Sequence, residues 1–599
     1  MIKLPSLFTD GMVIGKKAKI WGWGDPSSTV TASFLGKTYE TACDAEGRFE
    51  LTIISETYGG PHKLTIGDQA INDVYIGRVW LCGGQSNMEG ALSRTALMML
   101  EHIIEDSRIR FFQVEKGLRF DAPATDTNAA WHTATGDMGS LFAVPYFFAR
   151  QLLSDDPAPI GLVCTPAGGT PIEGWMPEEL VQNFPNYYEA LKSMKEPGYM
   201  ESQTEEANRR VNAWHKQLTA NDKGFASNWA DENFDDSAWT SRMLLDNSGL
   251  PEYGSVWLRK KINLPKPTGE VTLKFGRIEN SVKVYVNGVQ VTAVDYMYPP
   301  CTCVLPDGLL KEGENTIAVR IVGDGNHPKV VPGKDYALVH ANWRIDLSGE
   351  WKWNTGAEMP KAEPGAWFYG RPCGVYNYML APVLGYSVDG ILWYQGESNT
   401  GNPSTYKDLF VVFAKHMREK FGNVPIIFNQ LANYIDPSPG TGENWAELRE
   451  QQRNCLDIPN TAMSVSIDCG EWNDLHPLDK KTIGERMALH ARRLAYGENI
   501  ISDGPIVKRA ECKNGKLVIS FENGIGLWAK NGYPIVDVVD HVGQVSKFFA
   551  TIENETLIAN IGELDAAVVR FGWVDCPSVA LYNAYNLPAS PFMVKIHVS

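Results

Sequence analysis

Five runs of nearly continuous apolar residues, each closing on glycine or polar residues, constrain the fold of this chain more than any other feature. They are VYIGRVWL (74–81), APIGLVCT (158–165), VDGILWYQ (388–395), VPIIFNQL (424–431) and AMSVSID (462–468). Between them lie helical patterns, LFAVPYFFARQLL (141–153, despite Pro145) and YKDLFVVFAKHMREKFG (406–422) among them. A strand that is apolar throughout is buried on both faces, and helices between such strands imply a parallel sheet covered on each side. The expectation is an α/β domain of three layers with five parallel strands.

That pattern is interrupted. Residues 1–73 alternate in short runs (AKIWGWG, STVTASFLG, GRFELTII, HKLTIG) divided by turn residues, which predicts an N-terminal β-sandwich. Residues 225–350 return to alternation, with Asn287-Gly288 between two strand-like runs as a hairpin signal. The reading is therefore catalytic-type α/β segments at 74–224 and 351–502, an inserted β-domain at 225–350, and a β-rich domain at 503–599. A chain of 599 residues exceeds what one core serves, so several domains are expected.

Net charge is −16 and no basic run or basic–aromatic stripe occurs, which argues against nucleic acid and anionic membrane surfaces as partners. No stretch reaches the roughly 18 apolar residues of a membrane span. The beginning, MIKLPSLFTDGMV, lacks the apolar core of a signal peptide, so a cytoplasmic location is expected, with a secreted or periplasmic mature form as the alternative. Ten scattered cysteines show neither disulfide-framework nor zinc spacing, and no cofactor is called for.

Ligands of such a sheet bind beyond the carboxyl ends of its strands. There the sequence places Gly83-Gly84-Gln85-Ser86-Asn87, Gly168-Gly169-Thr170, Gln395-Gly396-Glu397-Ser398-Asn399, Asn429-Gln430, and Asp468 through Asp474-Leu475-His476. A serine needs a neighbouring base, a base needs an orienting acid, and a tetrahedral intermediate needs aimed donors. Ser86, His476 and Asp474 can fill the first three roles. Gly168 or Gly169 and Asn399 can supply the donors. Taken singly, Ser86 reads equally well as a helix cap, His476 as structural, Gly168-Gly169 as a tight turn and Asn399 as a turn residue. Glu397 and Glu89 both lie in these loops, and a carboxylate pair of Glu397 with Asp474 would suit a glycosidase, but leaves Ser86, the glycines and Asn399 unexplained. A metal site from Asp468, Asp474 and His476 lacks a second histidine. Position 88 is Met, so Ser86 does not sit in a G-x-S-x-G elbow.

Four motifs in order, WLCGGQSNMEG, AGGTPIEGWMP, ILWYQGESN and NDLHP, resemble the sialate O-acetylesterase family of SGNH-type hydrolases. Relatives of that family deacetylate xyloglucan or xylan. The insert, with DENFDDSAWTS and VYVNGVQV, is similar to jelly-roll sugar-binding domains. The resemblance implies a carbohydrate O-acetylesterase with an SGNH-like α/β/α domain and no cofactor. Ser86 would be the nucleophile, His476 the base and Asp474 the acid, with Asp468 as fallback because the acid stands two rather than three residues before the histidine. The oxyanion hole would take the Ser86 amide, Gly168 or Gly169, and Asn399. Gln85, Trp175, Trp393 and Gln395 are candidates to meet the sugar, the tryptophans reading equally as core. Arg486 and Arg371 are candidate partners for a sialic acid carboxylate. The reading from another class is a carbohydrate-binding scaffold; the intact set of Ser86, Asp474, His476, Gly169 and Asn399 argues against it. The inserted domain is open to sugar binding, to shaping the entrance, or to making a homo-oligomer.

Overall fold

The computed structural model describes residues 1–599 except 100–101, 267, 296–299, 326, 436–441 and 599. The chain divides into two compact units, Met1–Glu196 with Phe368–Ser599, and Pro197–Trp367.

The first unit is built around a seven-stranded sheet. Its strands are β1 (Arg78–Gly84), β2 (Asp106–Gln113), β3 (Trp131–Ala134), β4 (Ile160–Cys164), β5 (Gly390–Tyr394), β6 (Ile426–Asn429) and β7 (Thr461–Ser464), in the spatial order β3-β2-β4-β1-β5-β6-β7. Every pairing is parallel except that of edge strand β3 with β2. The five expected strands are all present, but β2 makes a sixth parallel one. Sequence patterning missed it because DSRIRFFQ opens on three polar or charged residues and only its second half is buried. The first apolar run also belongs to two sheets. Val74–Ile76 ends the strand Gln69–Ile76 of the N-terminal sheet, and the chain crosses to β1 at Gly77. A Cβ there would meet the Pro159 carbonyl at 2.1 Å, so only glycine fits.

Helices cover both faces, as the alternation along β5 demonstrates. Leu392 and Tyr394 join the core under α3 (Ala143–Leu153) and α6 (Lys480–Leu494), while Trp393 on the opposite face packs on Phe413 of α4 (Tyr406–Phe421) at 4.4 Å between ring centroids. Pro145 is tolerated because it lies in the first turn of α3, where a backbone N–H has no intrahelical acceptor. Ile483, Met487 and Ala491 are fully buried on the inner face of α6. Gly484 brings that helix close to α3, since a Cβ there would lie 2.7 Å from the Phe148 nitrogen.

The N-terminal residues form a five-stranded and a two-stranded sheet, and residues 506–598 form a closed seven-stranded barrel with a separate two-stranded ribbon. The barrel is tied to the central sheet by Arg449 of α5 (Asn444–Asn454). Its buried guanidinium donates to the carbonyls of Leu431 and Ala432 after β6 and to those of Val574 and Asp575.

The second unit begins with the helix Tyr199–Asn221 and continues as a six-stranded and a four-stranded antiparallel sheet sharing one core. The hairpin at Asn287-Gly288 forms as the dipeptide predicts, both residues having positive φ between Ser281–Val286 and Val289–Val294. Buried Asp222 accepts from Ser255 Oγ, Trp257 Nε1 and Arg320 Nε, pinning the helical segment to its sheet. Among the described residues no helix is long and apolar enough to cross a membrane.

Candidate active site

Strand β1 ends in two glycines where β5 crowds it, tightly at the first and prohibitively at the second. Gly83 and Gly84 lie opposite Trp393 and Tyr394. A Cβ on Gly83 would come within 3.1 Å of the Trp393 ring. At Gly84, with φ +128°, it would stand 2.2 Å from the Tyr394 carbonyl. The chain then turns into the short helix α1 (Ser86–Glu89). Gln85, not Ser86, occupies the N-cap position, and no side-chain cap bond forms there. The serine hydroxyl is therefore not spent as a cap.

It is spent on the histidine. Ser86 Oγ and His476 Nε2 are 2.7 Å apart, across 390 residues of sequence. Both are partly exposed. Asp474 is buried, its carboxylate accepting the His476 backbone N–H at 2.9 Å and the Arg94 guanidinium at 3.1 Å, while Arg94 also donates to the His476 carbonyl at 2.9 Å. Arg94, on α2 (Leu92–Met99), thus clamps both ends of the Asp474–His476 loop; no sequence pattern had pointed to it.

The loop after β4 reaches the same place, since a Cβ on Gly168 would lie 3.2 Å from the Ser86 Cβ. The Gly168 N–H, however, is taken by the Glu89 carboxylate, which Lys116 pairs at 3.2 Å. Gly168 is thereby occupied in this structure, and Gly169, with φ +75°, is the remaining glycine of the pair.

Several expected binding groups are structural. Trp175 and Trp393 are fully buried and meet edge to face at 5.6 Å, with Trp175 Nε1 donating to Thr170 Oγ1, so neither offers a face to a sugar. Gln85 Oε1 accepts from Gln395 Nε2 and the backbone of Gly396 and Ser398. Gln395, itself buried, also donates to the Thr170 carbonyl and to Asn399 Oδ1. These glutamines brace one strand-end loop against another. Asn399 is likewise committed: Oδ1 accepts the Ile172 N–H, and Nδ2 donates to Glu173 at 2.9 Å. Burial raises the Glu173 carboxyl above its ordinary range, although the Asn399 bond opposes this. Asp468, the fallback acid, is locked to Arg486 at 2.6 Å and to Tyr582 at 3.0 Å, which removes both Asp468 and Arg486 from the reacting centre. Arg371 is exposed.

A serine hydroxyl bonded to a histidine thus stands at the carboxyl edge of a parallel α/β sheet, with a glycine turn beside it. The family model described as carbohydrate esterase, sialic acid-specific acetylesterase matches residues 76–205 and 358–492, which hold all of these groups. Over those two segments the chain is similar to this family of carbohydrate esterases. It is 23% identical over 655 residues to the sialate O-acetylesterase of Mus musculus, covering 99% of this chain and 94% of the mouse protein. The sialate O-acetylesterase of Homo sapiens is 27% identical over 255 residues, covering 37% of this chain and 49% of the human protein. Among solved structures, a carbohydrate acetylesterase from Xanthomonas citri aligns over 99% of both chains with a TM-score of 0.64 and 23% identity, a likeness of fold.

Proposed function

We propose that this carbohydrate O-acetylesterase works through an acetyl-serine intermediate on Ser86, with O-acetylated sialic acid as the substrate class. The observation that carries the reading is the 2.7 Å contact between Ser86 Oγ and His476 Nε2. His476 takes the hydroxyl proton as Oγ attacks the acetyl carbonyl, then returns it to the departing sugar oxygen. Water, deprotonated by the same imidazole, hydrolyses the acetyl group and regenerates the serine. Asp474 orients the histidine, supported by its burial and its bond to the His476 backbone. The oxyanion falls to the Ser86 and Gly169 amides, together with the Asn399 N–H not spent on Glu173. The sialic acid assignment follows the family description and the mouse and human relatives.

The finer architecture goes with this reading. The central sheet is taken as an SGNH-type domain, supported by the nucleophile directly after its first strand and the base before its last helix. The two-sheet unit of residues 197–367 is taken as a jelly-roll.

The test is acetate release by wild type and Ser86→Ala from 9-O-acetyl sialic acid, acetylated xyloglucan and xylan oligosaccharides, and an aryl acetate. Release from the sialic acid that disappears in the variant is the expected result. Release only from a plant oligosaccharide would move the substrate class, and a fully active Ser86→Ala would overturn the mechanism.

A further inference from the structure

Asn87, the residue after the nucleophile, is buried and joins three distant parts of the chain. Its Nδ2 donates to Glu397 Oε1 at 2.5 Å, in the loop after β5, and to the Leu475 carbonyl at 3.1 Å. Its Oδ1 accepts from Lys480 Nζ at 2.5 Å, at the start of α6. Both amide hydrogens and the carbonyl oxygen are thereby used. The orientation of the amide is also settled by charge: turning it over would set its NH2 against the lysine and its oxygen against the glutamate. Lys480 and Glu397 are 2% and 8% exposed, and the lysine also lies over the Tyr394 ring of β5 at 5.5 Å.

The placement of this bridge matters more than its burial. Asn87 follows Ser86 and Leu475 precedes His476, so the bond between Asn87 and Leu475 stands one residue from the bond between Ser86 and His476 on both strands of the contact. Whatever holds the Asn87 amide holds the separation of nucleophile and base.

We propose that the Glu397–Asn87–Lys480 bridge is a positioning device: by fixing the Asn87 amide, the buried glutamate and lysine set the Ser86–His476 distance on which nucleophile activation depends. This rests on the reading of Ser86 and His476 as the reacting pair. Neither Glu397 nor Lys480 is required to touch substrate. A pair of opposite charges buried only for stability could be exchanged for neutral groups of like shape at little loss, and that difference makes the two roles separable.

The experiment compares wild type, Lys480→Met, Glu397→Gln and the double variant in three readouts: melting temperature, kcat and KM on an aryl acetate, and the rate at which a fluorophosphonate labels Ser86. Each single variant should lower the melting temperature. Each should also lower kcat and the labelling rate together by at least about tenfold, with KM within about twofold. The double variant, with no unpaired buried charge, should recover melting temperature but not kcat. Recovery of kcat along with stability, or wild-type kcat per labelled serine in Lys480→Met, would reduce the bridge to a structural ion pair and overturn the proposal. Ser86→Ala, run alongside, separates the two layers. If it kills labelling while Lys480→Met is unimpaired, only the bridge fails; if Ser86→Ala stays active, the reading of the pair fails with it.

Discussion

The Glu89 carboxylate accepts the backbone N–H of Gly168, joining the helix that carries Ser86 to the glycine turn that faces it. Lys116 pairs with the same carboxylate at 3.2 Å. A hydrogen bond to a charged group contributes about 1.5–3 kcal/mol. Glu89→Ala is accordingly expected to loosen the turn and to cost roughly tenfold in kcat/KM, whereas Glu89→Gln, which keeps an acceptor, should retain most of it. Steady-state kinetics on an aryl acetate decide the matter. An Ala variant as active as wild type would mean that the turn holds itself.

Asp474→Asn preserves an acceptor for the His476 backbone but removes the charge opposite Arg94. Removing an orienting acid while leaving its geometry intact can cost up to about 10⁴-fold in kcat. A fall of at least about 10²-fold in kcat with little change in KM is expected here. A change confined to KM would assign Asp474 to holding the loop rather than to catalysis.

Gly84→Ala should be among the most damaging small substitutions in the molecule. The new Cβ would sit 2.2 Å from the Tyr394 carbonyl, at a φ of +128° that side chains rarely adopt. Strain and overpacking together suggest a loss of about 3 kcal/mol or more. Denaturant unfolding measures it, and a loss below about 1 kcal/mol would show that β1 and β5 can part without penalty.

His490 lies buried on α6, and burial holds its imidazole down to about 4, against a weaker opposing effect of Asp503. The unfolded histidine titrates near 6.5. Between these values the unfolded chain binds a proton that the folded chain refuses, so stability falls as pH drops from 6.5 toward 4, by on the order of 3 kcal/mol in all. His490→Gln should flatten the stability–pH curve in that window. An unchanged slope would place the acid sensitivity elsewhere.

The apolar runs made the parallel sheet legible from the chain alone, and with it the rule that polar residues past the strand ends converge. Ser86 and His476 were singled out in this way, and they meet at 2.7 Å. Asp474 was found by its closeness to His476 in sequence, whereas Arg94, which clamps it, carried no signal because its partners lie 380 and 382 residues away. The same local reading misjudged Trp175, Trp393, Gln85 and Gln395. Their types suit a sugar-binding rim, but they are buried, and their contacts are with one another and with neighbouring interior groups.

What the sequence determined by itself is the periodicity of the elements, the glycines that close packing demands, and which chemical groups stand at the strand ends. Only the tertiary structure decided which of those groups face solvent and which are consumed inside. Glu89 on the Gly168 amide, Asn399 on Glu173, and Asn87 between Glu397 and Lys480 are all matters of what lies across a loop. The physical reason is that strand and helix periods are local, set by backbone geometry over a few residues. Burial and hydrogen-bond partnership are properties of the assembled fold, where a group's neighbours come from hundreds of residues away.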